Sequence, residues 1–357
     1  MKIGIIGPVQ SDKYFGGVAT FVEAIADSYG ALGNEVKIIT DYSNKKSTSS
    51  GININAVSAV PIRRSIILPF LLYKKIKKEN FDLIITSLEF GIVSVFIKNS
   101  NTKKVHFLHA FPAVSMAGVL KRFLLNHVMK LIGDFSDLVV SNSSITSLVN
   151  KEVFGIRSDV IIPIGLNKNF LNNDLSNSKD KIKGRIVYAG RLANEKNVLK
   201  IIEAFKFDQI KDLNGIDFHI IGNGPISEKV KEEIEKYDLK INLRGSLSNE
   251  EVFNELKIAE VFISMNPHEP FGIAYLEALF ANCKIVAPFS GGQIDYFYKF
   301  SNHFYLCNPY NVIDISDKIL KSLTDDIPEF NTEILNMNYD KVVEDLNLEL
   351  KKRNIFQ

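Results

Sequence analysis

Apolar residues recur along this chain in two rhythms. Short runs at 3–7, 36–40, 83–86, 105–109, 138–141 and 160–164 have the length and polar borders of buried strands, with helix-period segments in most of the gaps. Val18, Phe21, Val22, Ile25, Ala26 and Tyr29 mark one face of the first such helix. Fully apolar strands alternating with helices predict a parallel sheet wound with helices on both faces. A polar, Asn- and Ser-rich stretch at 166–183 breaks the rhythm and reads as a linker. Alternation restarts at 186–189, 218–221, 241–243, 261–265 and 285–287, so the second half repeats the first. The expected domains are 1–165 and 184–338, followed by a charged, helix-prone tail over 339–357.

Length supports the division, because 357 residues exceed what one core usually serves. The 46% apolar content suits two packed cores. Cys283 and Cys307 offer no disulfide framework and no zinc-ligand spacing, which fits a reducing cytoplasm. Residues 1–7 carry one positive charge and too short an apolar run for a signal peptide. No apolar stretch approaches the roughly 20 residues that span a bilayer.

Charge is unevenly spread. Residues 1–165 hold 19 Lys and Arg against 12 Asp and Glu, and the remainder holds 24 against 29. A basic half with Arg63-Arg64, Lys74-Lys75, Lys77-Lys78 and Lys103-Lys104 suits an anionic membrane surface or a pyrophosphate-bearing acceptor, and equally suits solvated helix faces. A pI near 8.2 without a recognition motif argues against nucleic acid.

The chemistry concentrates in the second half. Glu269 and Glu277 stand eight positions apart, the first after an apolar strand and the second inside the helix expected over 273–280, with Gly272 at its start. Taken alone they suit helix electrostatics equally well. Arg191 and Lys196, after the strand at 186–189, lie where both cations reach one diphosphate. Gly222-Asn223-Gly224-Pro225 reads as a tight turn before a helix. In the first half, Gly16-Gly17 follows Tyr14-Phe15 and precedes a helix, as an anion-binding loop or a plain turn does. His109 ends its strand, at a position open to a ligand, while His106 reads as structural.

Glu269 to Glu277, followed by Ser290-Gly291-Gly292, resembles the donor signature of the retaining, nucleotide-sugar-dependent glycosyltransferases of family 4. The likeness extends over nearly the whole chain. It implies the α/β GT-B fold, with two Rossmann-like parallel-sheet domains facing each other across a donor and acceptor cleft, and a terminal helix that crosses back to the first domain. By resemblance, Glu269, His109, Arg191 and Lys196 are the catalytic set. Gly16, Gly17, Gly222, Gly224, Leu247, Phe271, Gly272, Ile273, Ala274 and Glu277 are the donor-binding set. Arg191, Lys196 and the N–H groups of Ile273 and Ala274 would neutralise the diphosphate, Glu269 would orient the sugar, and Glu277 would accept from the ribose.

The expected activity is transfer of a hexose or N-acetylhexosamine from a nucleotide sugar, a UDP-sugar by preference, to a hydroxyl of a glycan or lipid-linked acceptor in surface polysaccharide synthesis. The nucleotide sugar is then a substrate and there is no cofactor. The lack of any D-x-D motif leaves no expected metal. The expected place is the cytoplasm, extending to peripheral contact with the anionic inner face of the plasma membrane. Two alternatives share the fold: a sugar-nucleotide epimerase and a noncatalytic partner protein. The chain departs from the family at Ile164 and Asn167, where Asn and Asp are usual, in Ala281-Asn282-Cys283-Lys284, and at Asp295 in place of Glu.

Overall fold

Two all-parallel sheets organise the chain, their central strands apolar and buried on both faces. The computed structural model describes residues 1–11, 16–57, 64–98, 101–112, 118–171, 181–211 and 213–356. Contacts divide the chain into two units, Met1–Lys168 with Met337–Gln357, and Asn169–Asn336. Tyr14, Phe15, Arg63 and half of the expected linker, 172–180, lie outside the described residues.

The first unit runs β1 (Lys2–Ile6), α1 (Gly17–Ala31), β2 (Glu35–Thr40), β3 (Asn53–Ala56), α2 (Arg64–Ile76), β4 (Leu83–Ser87), a 3-10 segment (Leu88–Phe96), β5 (Lys103–Leu108), α3 (Val119–Asp134), β6 (Leu138–Ser141), α4 (Ser144–Leu148) and β7 (Val160–Ile161). Its strands lie in the order β3-β2-β1-β4-β5-β6-β7. The order therefore reverses direction between β1 and β4. Ile3, Ile5, Ile84, Ile85, Val105 and Phe107 have no exposed surface, as strands covered on both faces require.

The single turn α5 (Lys168–Leu171) leads to the second unit, where β8 (Ile182–Ala189), α6 (Val198–Ala204), α7 (Asp208–Lys211), β9 (Asp217–Ile221), α8 (Ser227–Lys236), β10 (Ile241–Gly245), α9 (Asn249–Ile258), β11 (Ala259–Ile263), α10 (Ile273–Phe280), β12 (Lys284–Pro288), α11 (Ile294–Phe300), β13 (Phe304–Cys307) and α12 (Val312–Thr324) follow. The sheet order is β10-β9-β8-β11-β12-β13. Here the reversal falls between β8 and β11. Local chemistry sets the helix starts: Ser248 closes a capping box with Glu251 before α9, and Asn311 accepts from two first-turn amides of α12.

The last helix, α13 (Tyr339–Lys352), belongs to the first unit. It buries Tyr339, Val342, Val343, Leu346 and Leu350, and Asn347 Oδ1 accepts from Tyr29 Oη of α1 at 3.0 Å. Its entry is fixed by the turn that departs from the family pattern. Leu166 N–H donates to the Met337 carbonyl at 2.8 Å, Ile164 is buried, and Gly165 presses on the Asn338 backbone.

Several bounds differ from the sequence reading. Residues 182 and 183, assigned there to the linker, pair within β8. β7 stops at Ile161 rather than 164, because Pro163 has no N–H for a ladder. β11 begins at Ala259, where α9 ends, two residues earlier than expected. The edge strands β3 and β13 are not among the runs read from the sequence, although β13 is apolar throughout.

A Cβ at Gly165 would stand 2.2 Å from the Asn338 carbonyl carbon, a contact only a backbone shift relieves. Gly165→Ala is expected to cost about 1–3 kcal/mol, with amide-exchange protection lost first along α13. Unchanged protection there would show that this turn does not hold the helix.

Candidate active site

In open α/β sheets a ligand crevice forms at the carboxyl ends of the strands where their order reverses, because the flanking loops diverge there. In the second unit that point lies between β8 and β11. The loop after β8 carries Arg191 and Lys196, and the loop after β11 carries Asn266 and Glu269.

Lys196 Nζ and Glu269 Oε2 meet at 2.7 Å, with side chains 26% and 18% exposed. Asn266 Nδ2 donates to the same oxygen at 2.7 Å, and Asn266 Oδ1 accepts from His268 N–H at 3.1 Å. That second bond fixes which end of the amide faces Glu269. Both donors therefore converge on Oε2, and Oε1 has no donor among the described residues. The structure thus brings Lys196 to Glu269, while Arg191 is exposed and has no side-chain partner among the described residues.

Backbone clamps hold these loops. Tyr188 Oη donates to the Arg191 carbonyl at 3.0 Å, and burial raises the Tyr188 phenol well above its ordinary pKa. Gly222, at φ 132°, lies so close to the Gly190 carbonyl that a Cβ would stand 1.9 Å from it. A Cβ at Gly224 would meet the Leu192 carbonyl at 2.1 Å. The loops after β8 and β9 are further joined by Leu192 N–H to the Asn223 carbonyl and Ile226 N–H to the Leu192 carbonyl. Both glycines, assigned to the donor on the sequence, have a packing reason of their own.

Gly292 N–H donates to the Glu269 carbonyl at 2.7 Å, and Ser290 Oγ donates to the Pro267 carbonyl at 3.1 Å. The Ser290-Gly291-Gly292 loop is thus the backing of the Glu269 loop. Phe271 is buried with its ring edge-on to Tyr296 at 5.2 Å, so only its backbone is left for a ligand. Gly272, at φ 86°, caps α10 in the left-handed region, and its carbonyl takes Tyr275 and Leu276 N–H. Ile273 and Ala274 N–H have no acceptor among the described residues, and both residues are half-buried. Those free donors and the helix dipole favour an anion.

Glu277 lies within α10, partly open to solvent and without a hydrogen-bond or ion-pair partner among the described residues. Burial pushes its carboxyl up to about 8. Leu247 is half-buried two residues beyond β10, the strand farthest from β11 on that side of the sheet. At the exit of α10, Asn282 adopts φ 59°, which Asn tolerates in place of Gly, and the buried Lys284 pairs with Glu260 at 2.8 Å.

In the first unit the reversal falls between β1 and β4. Gly16, at φ 121°, caps α1 and Gly17 opens it, with no described residue where their side chains would stand. His109 directly follows β5 and is 7% exposed. Its Nε2 pairs with Ser87 Oγ at 3.0 Å and its ring lies edge-on to Phe21 at 4.5 Å. Burial pushes its pKa down to about 3, so the imidazole is neutral. His106 is fully buried, with Nδ1 on Thr86 Oγ1 at 2.8 Å, as a structural histidine is.

Sequence reasoning missed Asn266 and Ser87. Each is a polar residue at the carboxyl end of an apolar strand beside a reversal point, and that position is the signal that could have found them.

Comparison with known proteins agrees on both halves. A family model described as Glycosyltransferase Family 4 matches residues 15–168, and one described as Glycosyl transferases group 1 matches residues 171–338. The alpha-monoglucosyldiacylglycerol synthase of Acholeplasma laidlawii is 26% identical over 322 residues, 80% of this chain and 80% of that protein. Among solved structures, sucrose-phosphate synthase from Thermosynechococcus elongatus superposes with a TM-score of 0.80 at 17% identity, covering 98% of each chain. Anabaena Alr3699/HepE in complex with UDP-glucose gives 0.77 at 14% identity, covering 99% of this chain and 100% of that one.

A carboxyl raised to about 8 keeps in the native state a proton that the unfolded chain releases near 4.5, so its cost to stability grows between those pH values. Glu277→Gln is expected to stabilise the protein by about 1.4 kcal/mol for each pH unit between 4.5 and 8 and by nothing below pH 4.5, read by denaturant unfolding across that range. A gain that is flat with pH would mean that Glu277 titrates as an ordinary carboxylate.

Proposed function

The chain belongs to the glycosyl transferases group 1 family and is a GT-B glycosyltransferase; we propose that it transfers a hexose or N-acetylhexosamine, with retention, from a UDP-sugar to a hydroxyl of a glycan or lipid-linked acceptor. The observation that carries the donor site is the Lys196–Glu269 contact beside the amide-rich start of α10, at the reversal point of the second sheet. A cation, free N–H groups and a carboxylate with one uncommitted oxygen match a phosphorylated sugar: phosphate for the first two, sugar hydroxyls for the third.

In the proposed reaction the bond between the anomeric carbon and the diphosphate oxygen breaks as the acceptor oxygen bonds the same face of that carbon. The acceptor proton passes to the departing phosphate oxygen. Arg191, Lys196 and the Ile273 and Ala274 N–H groups stabilise the growing negative charge. Glu269 orients the sugar through Oε1 and shields its positive character. Neutral His109 serves as a hydrogen-bonding partner for the sugar rather than as a cation. Glu277 accepts from the ribose, and those bonds favour its ionised form, so nucleotide binding releases a proton below pH 8. With cations in the chain for the diphosphate, the proposed reaction needs no metal.

The UDP preference is supported by HepE, a fold neighbour solved with UDP-glucose, and the acceptor class by the alpha-monoglucosyldiacylglycerol synthase, whose product is a glycolipid by name. With a lipid-borne acceptor the reaction takes place at a membrane surface, and the proposed side is the cytoplasmic one.

A thermal-shift panel of UDP-, GDP- and ADP-sugars should show the largest rise in Tm with a UDP-sugar. Arg191→Ala and Glu277→Ala should each lower turnover with that donor about tenfold or more, and EDTA should leave it unchanged. Normal turnover in both variants would overturn the site assignment. A new nucleotide sugar formed without acceptor would identify an epimerase instead.

A further inference from the structure

Two histidines at the end of β5 each meet a hydroxyl at the end of β4, and the two pairs place their hydrogens differently. Parallel pairing sets Thr86 opposite His106 and Ser87 opposite Phe107. His109 stands two residues past Phe107 and reaches Ser87. Thr86, Ser87, His106 and His109 are all buried, so each hydrogen among them needs an acceptor within the protein.

Thr86 has a second partner. Its Oγ1 donates to the Val105 carbonyl at 3.3 Å, so the hydrogen shared with His106 belongs to the ring, and Nδ1–H donates to Oγ1 at 2.8 Å. His106 Nε2, buried and without a partner among the described residues, is then a bare nitrogen rather than a stranded N–H.

Ser87 has no such carbonyl. Among the described residues its hydroxyl meets only His109 Nε2, at 3.0 Å. If Nε2 carried the ring hydrogen and donated it, the serine hydrogen would be left in a buried place with no acceptor, the costly case for a polar group. If the hydroxyl donates, one bond satisfies both groups. Burial keeps the ring neutral, so its single hydrogen then sits on Nδ1.

The ring is held in place around that bond. Phe21 stands edge-on to it at 4.5 Å and Phe107 lies nearly parallel at 6.1 Å. Asn142 Nδ2 donates to the His109 carbonyl at 3.2 Å, and Asn150 Nδ2 donates to the Ala110 carbonyl at 3.0 Å, which fixes the main chain that carries the ring. Nδ1 has no hydrogen-bond partner among the described residues and is left for a ligand.

We propose that Ser87 is a positioning residue: by donating to Nε2 it holds His109 as the Nδ1–H tautomer, so that the ring presents a hydrogen-bond donor to an oxygen of the transferred sugar. A free imidazole side chain in water favours the other tautomer, Nε2–H, so this form has to be imposed by a neighbour. An N–H at Nδ1 serves any sugar oxygen, whereas a bare nitrogen there serves only a hydroxyl that turns its hydrogen inward. The sugar contact rests on the transferase reading above, while the tautomer does not.

The direct test is a long-range proton–nitrogen NMR spectrum of the histidine rings in the full chain, in which the two neutral tautomers give different cross-peak patterns. His109 is assigned as the ring whose signals vanish in His109→Asn. The native protein should show His109 as Nδ1–H, and Ser87→Ala should convert it to Nε2–H while His106 stays as it is. In calorimetric titrations Ser87→Ala should bind UDP-glucose about tenfold more weakly than the native protein, and should bind UDP, which lacks the sugar, within about twofold. Melting curves check that the variant keeps its fold. A native Nε2–H ring, or an Nδ1–H ring that survives Ser87→Ala, would overturn the tautomer assignment. Undiminished UDP-glucose affinity, or equal losses for UDP and UDP-glucose, would overturn the positioning role. No ligand enters the spectrum, so a failed tautomer assignment leaves the transferase reading standing, and a native chain that binds neither nucleotide fails that reading instead.

Discussion

An ammonium and a carboxylate held 2.7 Å apart across the point where the second sheet reverses its strand order are the contact around which the candidate site is arranged. The two residues are 73 positions apart in sequence, and only the parallel pairing of β8 with β11 brings their loops together. The contact is too open to water to be a major source of stability and too enclosed to be fully screened. Its consequence is positional. Lys196 and Asn266 saturate one oxygen of Glu269 and leave the other for a ligand. The Gly292 amide, the Tyr188 phenol and the close-packed Gly222 and Gly224 hold the loops from behind, so the polar side chains do not have to order them.

In the proposed reading the charges around that contact meet an anion that arrives with hydroxyl groups. Arg191 is exposed and uncommitted among the described residues, Lys196 is parked on a carboxylate, and two helix-start N–H groups point at no internal acceptor. Burial pushes the Glu277 carboxyl up to about 8, and it has no ion-pair partner among the described residues. Hydroxyl donors from a ligand would compensate its charge. In the proposed reading a nucleotide sugar satisfies these unpaired or mispaired groups together, which is a form of selectivity.

Much of this architecture is legible in the sequence, and the gaps have physical causes. Central strands announce themselves because both faces are buried, and α10 runs from Ile273 to Phe280 as its apolar period and Gly272 indicate. The edge strand β3 does not: it reads Asn-Ile-Asn-Ala, with half its positions polar. Motif spacing singled out Arg191, Lys196, Glu269 and Glu277, but spacing carries no information on which of them touch. The Lys196–Glu269 bond, the Asn266 bond and the raised carboxyl of Glu277 arise from tertiary placement alone. The same holds for Gly222, Gly224 and Phe271, whose packing against backbone and ring becomes visible only when the loops are stacked.

If Lys196 is shared between Glu269 and an incoming diphosphate, the two side chains must be coupled in nucleotide affinity. Calorimetric titration of UDP into the native protein, Lys196→Ala, Glu269→Ala and the double variant measures that coupling directly. The account predicts that Lys196→Ala weakens UDP binding about tenfold or more, that Glu269→Ala binds UDP at least as tightly as the native protein because its lysine is released, and that this gain vanishes in the double variant. Undiminished affinity in Lys196→Ala, or independent losses from the two substitutions, would contradict it.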